Sequence, residues 1–567
     1  MRRCEVDGMK PIDLFRAGFW GSGDAASIIA GLFSEGQQGF WLPFTDFASL
    51  SQDSAGTLPY TALQQPVGLI LDKSKGGGRG TELSPNGGTF DDAAGWTITQ
   101  PTSSISGGVL NVGAGACDIF PSTASVVAGK SYEVTFTISN STANYGIRIL
   151  NRDIISAGNY FPAGAPYITA NGSYRFVCVA ISNGSIGINR VSGHTGSLQV
   201  DNFSVKEIPG NHASQVTSTA RGVVSARVNL LVNSEFTGFV AGSPGTFPTG
   251  WASGLNTGTI SNDSGSIRIT NAAGQRTFVY QLPAIHANVA YRARLKCFIH
   301  SGILYAGNIL GTNAVAPATV GYYLNGVLTD NFTQLPVGVL FTLEWRFMYA
   351  AAGPYRVGAG VGIGGNVVGD ATLFSIDCVT ESQASLPYQR VNTSTDYDAI
   401  GFPKSLRVEV DDFYTCGGGG STTGFYYSDV VSPTSSATTV LFSDIGTNSG
   451  YEFAIMNTGV LKLFWGNGTS FSSVSIGGVL ISALNHVAVW DDASNIYLQI
   501  NGGTPVTVAR GVFVAGTANC KLYRTNGASA FFFNGQVTEP IYRAGPPPNA
   551  YERDVIRTYQ MQKAGML

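Results

Sequence analysis

Apolar and polar residues alternate in many short stretches of this 567-residue chain, and Gly, Asn and Ser separate the stretches. Clear examples lie at 132–138, 173–179, 197–205, 266–270 and 291–299. A period of two places successive side chains on opposite faces of a strand, whereas a helix repeats near 3.6 residues. The pattern therefore predicts an all-β protein built mainly from half-buried strands.

The first 38 residues depart from this pattern. Gly-Ser-Gly-Asp at 21–24 can cap a short helix over 25–33, and Gly36 follows its expected end. Two interpretations stay open: the helix packs on its own sandwich, or residues 1–38 anchor the chain to another protein. Either would cover the large apolar side chains of the segment, which are Phe15, Phe19, Trp20, Ile28, Ile29, Leu32 and Phe33.

Composition narrows the class of protein. Charged residues make up 12% of the chain, about half the usual share, while 44% of the residues are hydrophobic and 73 are Gly. The formal net charge is −3, and no basic stripe predicts a nucleic-acid partner. No apolar run is long enough for a membrane span, and no secretory signal is visible after Met1. The length predicts about four domains.

The cysteines and histidines give no sign of a metal or disulfide framework. The seven Cys are scattered, their number is odd and no C-x-x-C pair occurs. Most lie in apolar, strand-like contexts, so we expect reduced residues in the core of a protein that folds in a cytoplasm. The five His show no metal-site spacing.

Two long segments, 77–209 and 226–388, share one order of features. Each has an early Asn followed by Phe, then a Gly-Trp pair, and ends in a strand with an Asp near its middle, at 197–205 and 374–379. This order resembles that of jelly-roll carbohydrate-binding modules. The resemblance implies one jelly roll in each segment.

A second motif is split. Asp-Lys-Ser-Lys-Gly at 72–76 and Gly-Asn-His-Ala-Ser at 210–214 together resemble the D-x-S-G-x-G-N-H-A segment of laminin-G-like, concanavalin-type sandwiches. The stretch 484–503, with its Asn-Gly turn, resembles the central hairpin of that family. The resemblance implies a discontinuous sandwich formed by 39–76, 210–225 and 389–567, with the two jelly rolls inserted and 1–38 as an N-terminal segment.

The stretches 39–57 and 65–74 resemble a segment that recurs in tail, fibre and other surface proteins of tailed bacteriophages. The resemblance implies a virion surface protein, assembled in the bacterial cytoplasm, that binds host-surface glycan without cleaving it. It further implies attachment to other virion proteins through residues 1–38, and a homotrimer. A purely structural capsid or tail decoration, or a polysaccharide depolymerase, stays open.

Candidate site residues follow from these resemblances. Exposed aromatic rings and amides bind sugars, and four candidates lie near predicted loops: Tyr426, Tyr427, Trp465 and Asn467. Related jelly rolls often hold a structural Ca²⁺ between their first and last strands. That likeness makes Glu235 and Asp377 candidate calcium ligands in the second jelly roll, with Asp201 as the matching position in the first.

No catalytic residue is predicted. Some concanavalin-type glycanases carry E-x-D-x-x-E or E-x-D-x-E on one strand, where alternation aligns the carboxylates. The stretch 409–413 begins with Glu-Val-Asp-Asp but lacks the second Glu at either spacing. We expect a polar strand edge there, and we expect a protein that is not an enzyme.

Overall fold

A computed structural model provides the structure of the protein. It describes residues 22–567 apart from 35–36, 55, 57, 77, 124, 129, 143–144, 153–158, 162–167, 181, 191–192, 194, 257, 274–276, 286–288, 312–316, 318, 352, 362–367, 384, 410, 418, 422, 434–437, 457–458, 481–482, 518 and 527–530. Three members of the apolar set predicted for the N-terminal segment lie outside the described residues: Phe15, Phe19 and Trp20. Strands are numbered β1–β41 and α-helices α1–α3 in chain order.

Antiparallel strands dominate the described residues and form several sheets, which confirms the all-β prediction. The first sandwich packs two nine-stranded sheets around one apolar core. Its first sheet contains β1 Gly39–Trp41, β15 Val223–Ser225, β29 Ser405–Val408, β31 Phe425–Pro433, β36 Asn485–Asp491, β37 Asn495–Ile500, β38 Val506–Ala509, β40 Gly535–Val537 and β41 Ile541–Ala544.

The second sheet of this sandwich also draws on distant parts of the chain. Its order is β2-β3-β14-β30-β39-β32-β33-β34-β35. The bounds are β2 Leu50–Ser51, β3 Leu69–Ile70, β14 Ala213–Ser214, β30 Tyr414–Cys416, β32 Thr439–Ser443, β33 Tyr451–Ile455, β34 Val460–Gly466, β35 Phe471–Gly477 and β39 Cys520–Leu522.

The first jelly roll packs two five-stranded sheets around a separate core. One sheet has the order β11-β8-β13-β6-β5 and the other β10-β9-β12-β7-β4. The bounds are β4 Trp96–Ile98, β5 Ser104–Ser106, β6 Val109–Val112, β7 Cys117–Pro121, β8 Ser131–Ser139, β9 Ile147–Arg152, β10 Asn159–Phe161, β11 Gly172–Val179, β12 Ser185–Arg190 and β13 Leu198–Ile208.

The second jelly roll packs a seven-stranded sheet, β17-β18-β28-β21-β25-β23-β24, against a four-stranded one, β16-β19-β27-β22. A small pair, β20 with β26, completes it. The bounds are β16 Ala252–Asn256, β17 Thr259–Asp263, β18 Ser266–Asn271, β19 Thr277–Gln281, β20 Ala284–Ile285, β21 Ala290–Gly302, β22 Leu310–Gly311, β23 Thr319–Leu324, β24 Val327–Thr329, β25 Leu340–Met348, β26 Gly353–Pro354, β27 Val357–Val361 and β28 Gly369–Thr380.

The two halves of the split motif meet in space. The Asp72 carboxylate accepts hydrogen bonds from the backbone N–H groups of Trp41 at 2.9 Å and of Asn211 at 2.7 Å. His212 Nδ1 in turn accepts from the Asp72 backbone N–H at 2.8 Å. A buried carboxylate is stable only when such donors satisfy it, so the motif joins chain segments on either side of the first jelly roll.

The Gln389 side chain joins the two ends of the second jelly roll by hydrogen bonds in a similar way. The Gln389 amide oxygen accepts from the backbone N–H groups of Val228 and Asn229, and its amide nitrogen donates to the carbonyl of Ala226. The chain therefore enters and leaves this jelly roll side by side.

Helices cover the outer face of the first sandwich sheet. The first is α1 Ser22–Gly31, which was predicted over 25–33. The second is α3 Ala550–Lys563, which begins with a capping box between Asn549 and Glu552. The short helix α2, Ala306–Ile309, lies in the second jelly roll instead. In α1 and just after it, four side chains are buried against α3 and the sheet: Ala25, Ile29, Leu32 and Phe33. This part of the N-terminal segment therefore packs on its own sandwich. None of the helices that the structure describes is long and apolar enough to cross a membrane.

Candidate functional site

An open cleft of about 580 Å³ lies on the seven-stranded sheet of the second jelly roll. Its floor comes from three neighbouring strands, through Arg294 and Lys296 of β21, Thr342 of β25 and Ser375 of β28. The alternate residues of these strands, such as Leu295, point into the hydrophobic core. The floor is therefore the solvent-side face of the sheet, formed by the same alternation that builds the core.

A β-bulge shapes one part of the floor. Lys296 lies opposite Ser375, but the next residue, Cys297, lies opposite Leu373, so Phe374 is an extra residue in β28. A bulge re-aims side chains and increases the local twist of a strand. Here the half-buried Phe374 contributes to the lining of the cleft.

The tip of the β17–β18 hairpin forms one wall. Asp263 pairs with Ser266, so the turn has two residues, Ser264 and Gly265, whose φ angles are +54° and +92°. Two successive positive φ values are typical of a type I′ turn, which matches the twist of the flanking strands. The turn places short, polar residues at the rim of the cleft.

The opposite wall comes from the segments that lead into and out of the jelly roll. Glu235, Thr237 and Tyr388 line this side. The Tyr388 hydroxyl lies 2.7 Å from the Ser234 hydroxyl, and the Ser234 carbonyl accepts from the Ile376 backbone N–H of β28 at 2.9 Å. These bonds fix the wall to the sheet.

A buried ion pair sets the electrostatics of the floor. Arg294 donates to both carboxylate oxygens of Asp377, at 2.5–3.2 Å, and the Asp377 side chain is fully buried. Arg294 therefore neutralises the negative charge of Asp377 within the protein. By contrast, Lys296 and Glu235 form no salt bridge with any other described residue. They line the cleft as one cation and one anion, and the Glu235 charge also interacts with the Arg390 guanidinium.

Burial raises the pKa of Tyr388, and the nearby Glu235 carboxylate raises it further. The Tyr388 hydroxyl is therefore neutral at ordinary pH. It can donate and accept hydrogen bonds, as can the hydroxyls of Thr237, Ser266 and Ser375. The cleft combines hydroxyls, the Lys296 ammonium, the Arg294 guanidinium, the Glu235 carboxylate and two aromatic side chains, Phe374 and Tyr388.

The predicted calcium ligand Asp377 takes part in an ion pair in the structure. Both of its oxygens accept from the Arg294 guanidinium, and the calcium site at Glu235 and Asp377 stays a prediction. Glu235 lines the cleft wall. No group of three or more His, Cys, Asp or Glu with metal-site geometry occurs among the residues that the structure describes.

The prediction that Tyr426, Tyr427 and Trp465 are exposed rings near loops was wrong. They lie in β31 and β34, and their exposed fractions are 0%, 0% and 3%. The Trp465 indole N–H donates to the Arg510 carbonyl at 2.8 Å. A sugar stacks on an exposed ring face, so these rings serve packing in this structure.

The Asn467 side chain stabilises a local turn. Its amide oxygen accepts from the backbone N–H groups of Thr469 at 3.0 Å and Ser470 at 2.7 Å. This is the side-chain to backbone pattern of an Asx turn. The amide oxygen is therefore already engaged by its own chain.

The described residues of the glycanase-like stretch lie outside the strands. β29 ends at Val408, and the Asp412 carboxylate accepts from the Glu409 backbone N–H at 2.8 Å, which closes a turn. Asp411 adopts a positive φ of +81° in that turn. The expected polar strand edge is therefore a turn, and Glu409 pairs with Arg407 on the surface.

Sequence reasoning missed Arg294, Lys296 and Tyr388. One signal was available: positions 292, 294 and 296 are all cationic and share one face of a strand, in a chain with only 12% charged residues. Three cations on one face of a predicted strand are an unusual concentration in such a chain. Tyr388 gave no comparable signal, because its position depends on where the chain leaves the jelly roll.

No family model and no curated protein sequence matches this chain. Solved structures give distant likenesses. The CBM40 of Ruminococcus gnavus IT-sialidase bound to alpha2,6 sialyllactose is 15% identical, covering 27% of this chain and 95% of that one, with a TM-score of 0.21. The CBM22-1-CBM22-2 tandem of Paenibacillus barcinonensis Xyn10C is 12% identical, covering 54% and 98%, with a TM-score of 0.19.

A third likeness is to a Trypanosoma rangeli sialidase mutant displaying trans-sialidase activity. It is 9% identical and covers 93% of this chain and 97% of that one, with a TM-score of 0.22. At TM-scores of this size, none of the three carries an argument about the ligand or activity of this chain.

Proposed function

We propose that this chain is a non-catalytic glycan-binding protein and that the cleft of the second jelly roll is its binding site. The observation that carries the proposal is the set of groups converging there: Lys296, Glu235 and several hydroxyls on a floor fixed by the Arg294–Asp377 pair. Sugar hydroxyls both donate and accept hydrogen bonds, so a site with donors and acceptors on several sides suits them.

The floor is suited to binding because paired strands fix its backbone and Asp377 fixes the Arg294 guanidinium. Arg294 is fixed by Asp377, and Lys296 and Ser375 lie on paired strands within the sheet. Groups held in place lose little conformational freedom on binding, so more of the interaction energy appears as affinity. Hydrogen bonds that involve Lys296 or Glu235 are charge-assisted and are the strongest available in the cleft.

The wider setting in this proposal is the surface of a tailed-bacteriophage virion, with host-surface glycan as the ligand. Support comes from the resemblance of stretches 39–57 and 65–74 to phage surface proteins. The proposal includes no bond cleavage, and the stretch that approached a glycanase motif forms a turn in which the Asp412 carboxylate accepts from the Glu409 backbone N–H.

A glycan array with the purified full chain tests the proposal, followed by titration calorimetry with the best glycan. Lys296→Ala and Glu235→Gln should each weaken binding at least about tenfold, the expected loss of one charge-assisted hydrogen bond. Lys462→Ala, on β34 of the other sandwich, should bind like the wild type. Absence of array binding, or equal affinity of all three variants, would overturn the assignment.

A specific observation favours one second candidate, a structural decoration protein. The edge strand β24 and the loop after it expose large apolar side chains: Val327 by 69%, Leu328 by 66% and Phe332 by 76%. Neighbouring apolar residues exposed together often mark a protein contact. Under this alternative the glycan array is blank, and substitutions on this strand and loop impair assembly.

A further inference from the structure

Two buried cysteines face each other across a strand pair in the first sandwich. β30 and β39 are neighbours, and Cys416 lies directly opposite Cys520. Their Sγ atoms are 2.7 Å apart, and both side chains are buried. The other described cysteines face different residues: Cys178 faces Tyr132 and Cys378 faces Ala293.

Their places in the sheet suit a disulfide bond. Residues directly opposite each other in an antiparallel pair have Cα atoms about 4.5–5.5 Å apart, within the range of about 4.4–6.8 Å found for bonded cysteines. We propose that Cys416 and Cys520 form a cross-strand disulfide when the chain folds in the presence of a small-molecule disulfide. The pair would then be an exception to the reduced cysteines that the sequence predicts.

The chemistry is a two-step exchange. One cysteine thiolate attacks the small-molecule disulfide, forms a mixed disulfide and releases one small thiol. The second cysteine then attacks the cysteine sulfur of the mixed disulfide, which forms the bond between Cys416 and Cys520 and releases the second small thiol. The two cysteines lose two electrons and two protons, and the small-molecule disulfide gains them.

The fold determines when this step occurs. Burial, together with the nearby Cys416, raises the pKa of the Cys520 thiol, so the reactive thiolate is scarce once the sheet is closed. Oxidation should therefore accompany folding, before β30 and β39 are covered. Reducing agents should then reach the finished bond only slowly.

The bond would stabilise the first sandwich. It joins residues 104 positions apart, and the strands between them include the centre of both sheets. Closing a long loop restricts the unfolded chain and so favours the folded one. The stabilisation is expected in the first sandwich, since both cysteines lie in its core.

The experiment refolds the full chain with a mixture of oxidised and reduced glutathione, then alkylates it in denaturant and maps the peptides by mass spectrometry. We expect two of the seven cysteines to resist alkylation and one linked peptide pair containing Cys416 and Cys520. The melting temperature of the first sandwich should fall by at least about 5 °C after denaturation and refolding with dithiothreitol.

Cys416→Val with Cys520→Val should abolish the dithiothreitol-dependent shift, whereas Cys178→Val should keep it. If the double variant does not fold, peptide mapping of the wild type decides alone. Complete alkylation of Cys416 and Cys520 in refolded protein with native circular dichroism would overturn the proposal, as would linkage of either to a different cysteine.

Discussion

Asp72 shows how one residue can hold a discontinuous domain together. Its carboxylate accepts from backbone N–H groups of Trp41, Ser74 and Asn211, and from the Ser74 hydroxyl at 2.8 Å. Each hydrogen bond to a charged group is worth about 1.5–3 kcal/mol, so the set offsets part of the cost of burying the charge. Burial still raises the pKa of the Asp72 carboxyl above its usual value, while the backbone N–H groups of Trp41, Ser74 and Asn211 act to lower it. The segments on both sides of the first jelly roll are tied at this point.

Asp429 is a second buried carboxylate, in the central strand β31. It is fully buried, and one oxygen accepts from the backbone N–H groups of Thr538 and Glu539, both at 3.3 Å. Burial raises the pKa of the Asp429 carboxyl to about 8, and the neighbouring Glu539 carboxylate contributes. The folded protein therefore holds a proton on Asp429 up to about that pH.

This proton predicts a pH dependence of stability. The unfolded chain releases the Asp429 proton near pH 4 and the folded chain near pH 8, so the free energy of unfolding falls as pH rises between them. Asp429→Asn removes this contribution. Between pH 5 and 8, the free energy of unfolding of the variant should rise relative to that of the wild type by up to about 4 kcal/mol. The slope is about 1.4 kcal/mol per pH unit.

Urea titrations of both proteins across that pH range measure the difference. Groups common to both proteins, such as Asp444, whose pKa burial raises to about 6, cancel in the comparison. Asp554→Asn changes an exposed carboxylate on α3 and should follow the wild-type curve. Parallel curves for Asp429→Asn and wild type would contradict a raised pKa at this position.

At the scale of elements, the central strand of the first sandwich sheet illustrates what packing adds. All nine residues of β31 are buried. One face meets the sandwich core, through residues such as Tyr427, and the other meets α1 and α3, through residues such as Tyr426. A strand covered on both faces loses the simple alternation by which a half-buried strand is recognised.

The positions where the chain enters and leaves the first jelly roll predict that this jelly roll can be deleted without unfolding the first sandwich. Removing 77–209 and joining Gly76 to Gly210 should leave a folded first sandwich, because Asp72 and Asn211 already lie within hydrogen-bond distance. Some stability should be lost, because Leu69 and Leu71 pack against Val177 and Ile208 of the deleted segment. Size-exclusion chromatography and circular dichroism measure the outcome.

The matched control is a deletion that ends inside β13 and leaves part of that strand attached. It should aggregate, because an exposed strand edge with unpaired N–H and C=O groups pairs with other chains. Identical elution of the two deletion proteins would show that the boundary is misplaced.

At the scale of the whole molecule, the N-terminal segment separates into two parts with different expected roles. A chain that begins at Ser22 keeps α1 and the apolar side chains that α1 buries. A chain that begins at Gly39 loses four buried apolar side chains, those of Ala25, Ile29, Leu32 and Phe33, and should lose at least about 3 kcal/mol of unfolding free energy.

If residues before 22 attach the chain to a virion, the protein that begins at Ser22 should fold normally and fail to join particles. Thermal melting and incorporation into purified particles are the two measurements. Normal incorporation of this truncated protein would place the attachment surface elsewhere.

We expect a homotrimer, because fibres and spikes are commonly trimeric and closed rotational symmetry is the usual arrangement of repeated subunits. The chain shows no heptad run, so a coiled-coil stalk is not expected to hold the trimer. Sandwich faces and the N-terminal segment would hold it, and the exposed Val327, Leu328 and Phe332 could pack laterally. Mass photometry should show three chain masses. A monomer at micromolar concentration, without a symmetric contact in the particle, would refute this.

Much of the architecture followed from the sequence because its causes are local. Alternation predicted the strands, and the Asn-Gly pair at 501–502 predicted a turn that the structure contains between β37 and β38. The motif halves at Asp72 and Asn211 predicted a meeting point that the hydrogen bonds show. In each case the relevant side chains or dihedral angles lie within a few residues of one another, or carry a recognisable motif.

The lining of the cleft could not be predicted from the sequence, because it depends on the tertiary structure. Arg294 and Asp377 are 83 residues apart, and only the register of β21 with β28 brings them together. The bulge at Phe374 and the burial of Tyr426 under two helices likewise arise from packing between distant segments. Sequence alone determined which residues could form strands and turns, whereas the tertiary structure decided which side chains face solvent together, because register and layer packing are properties of the whole chain.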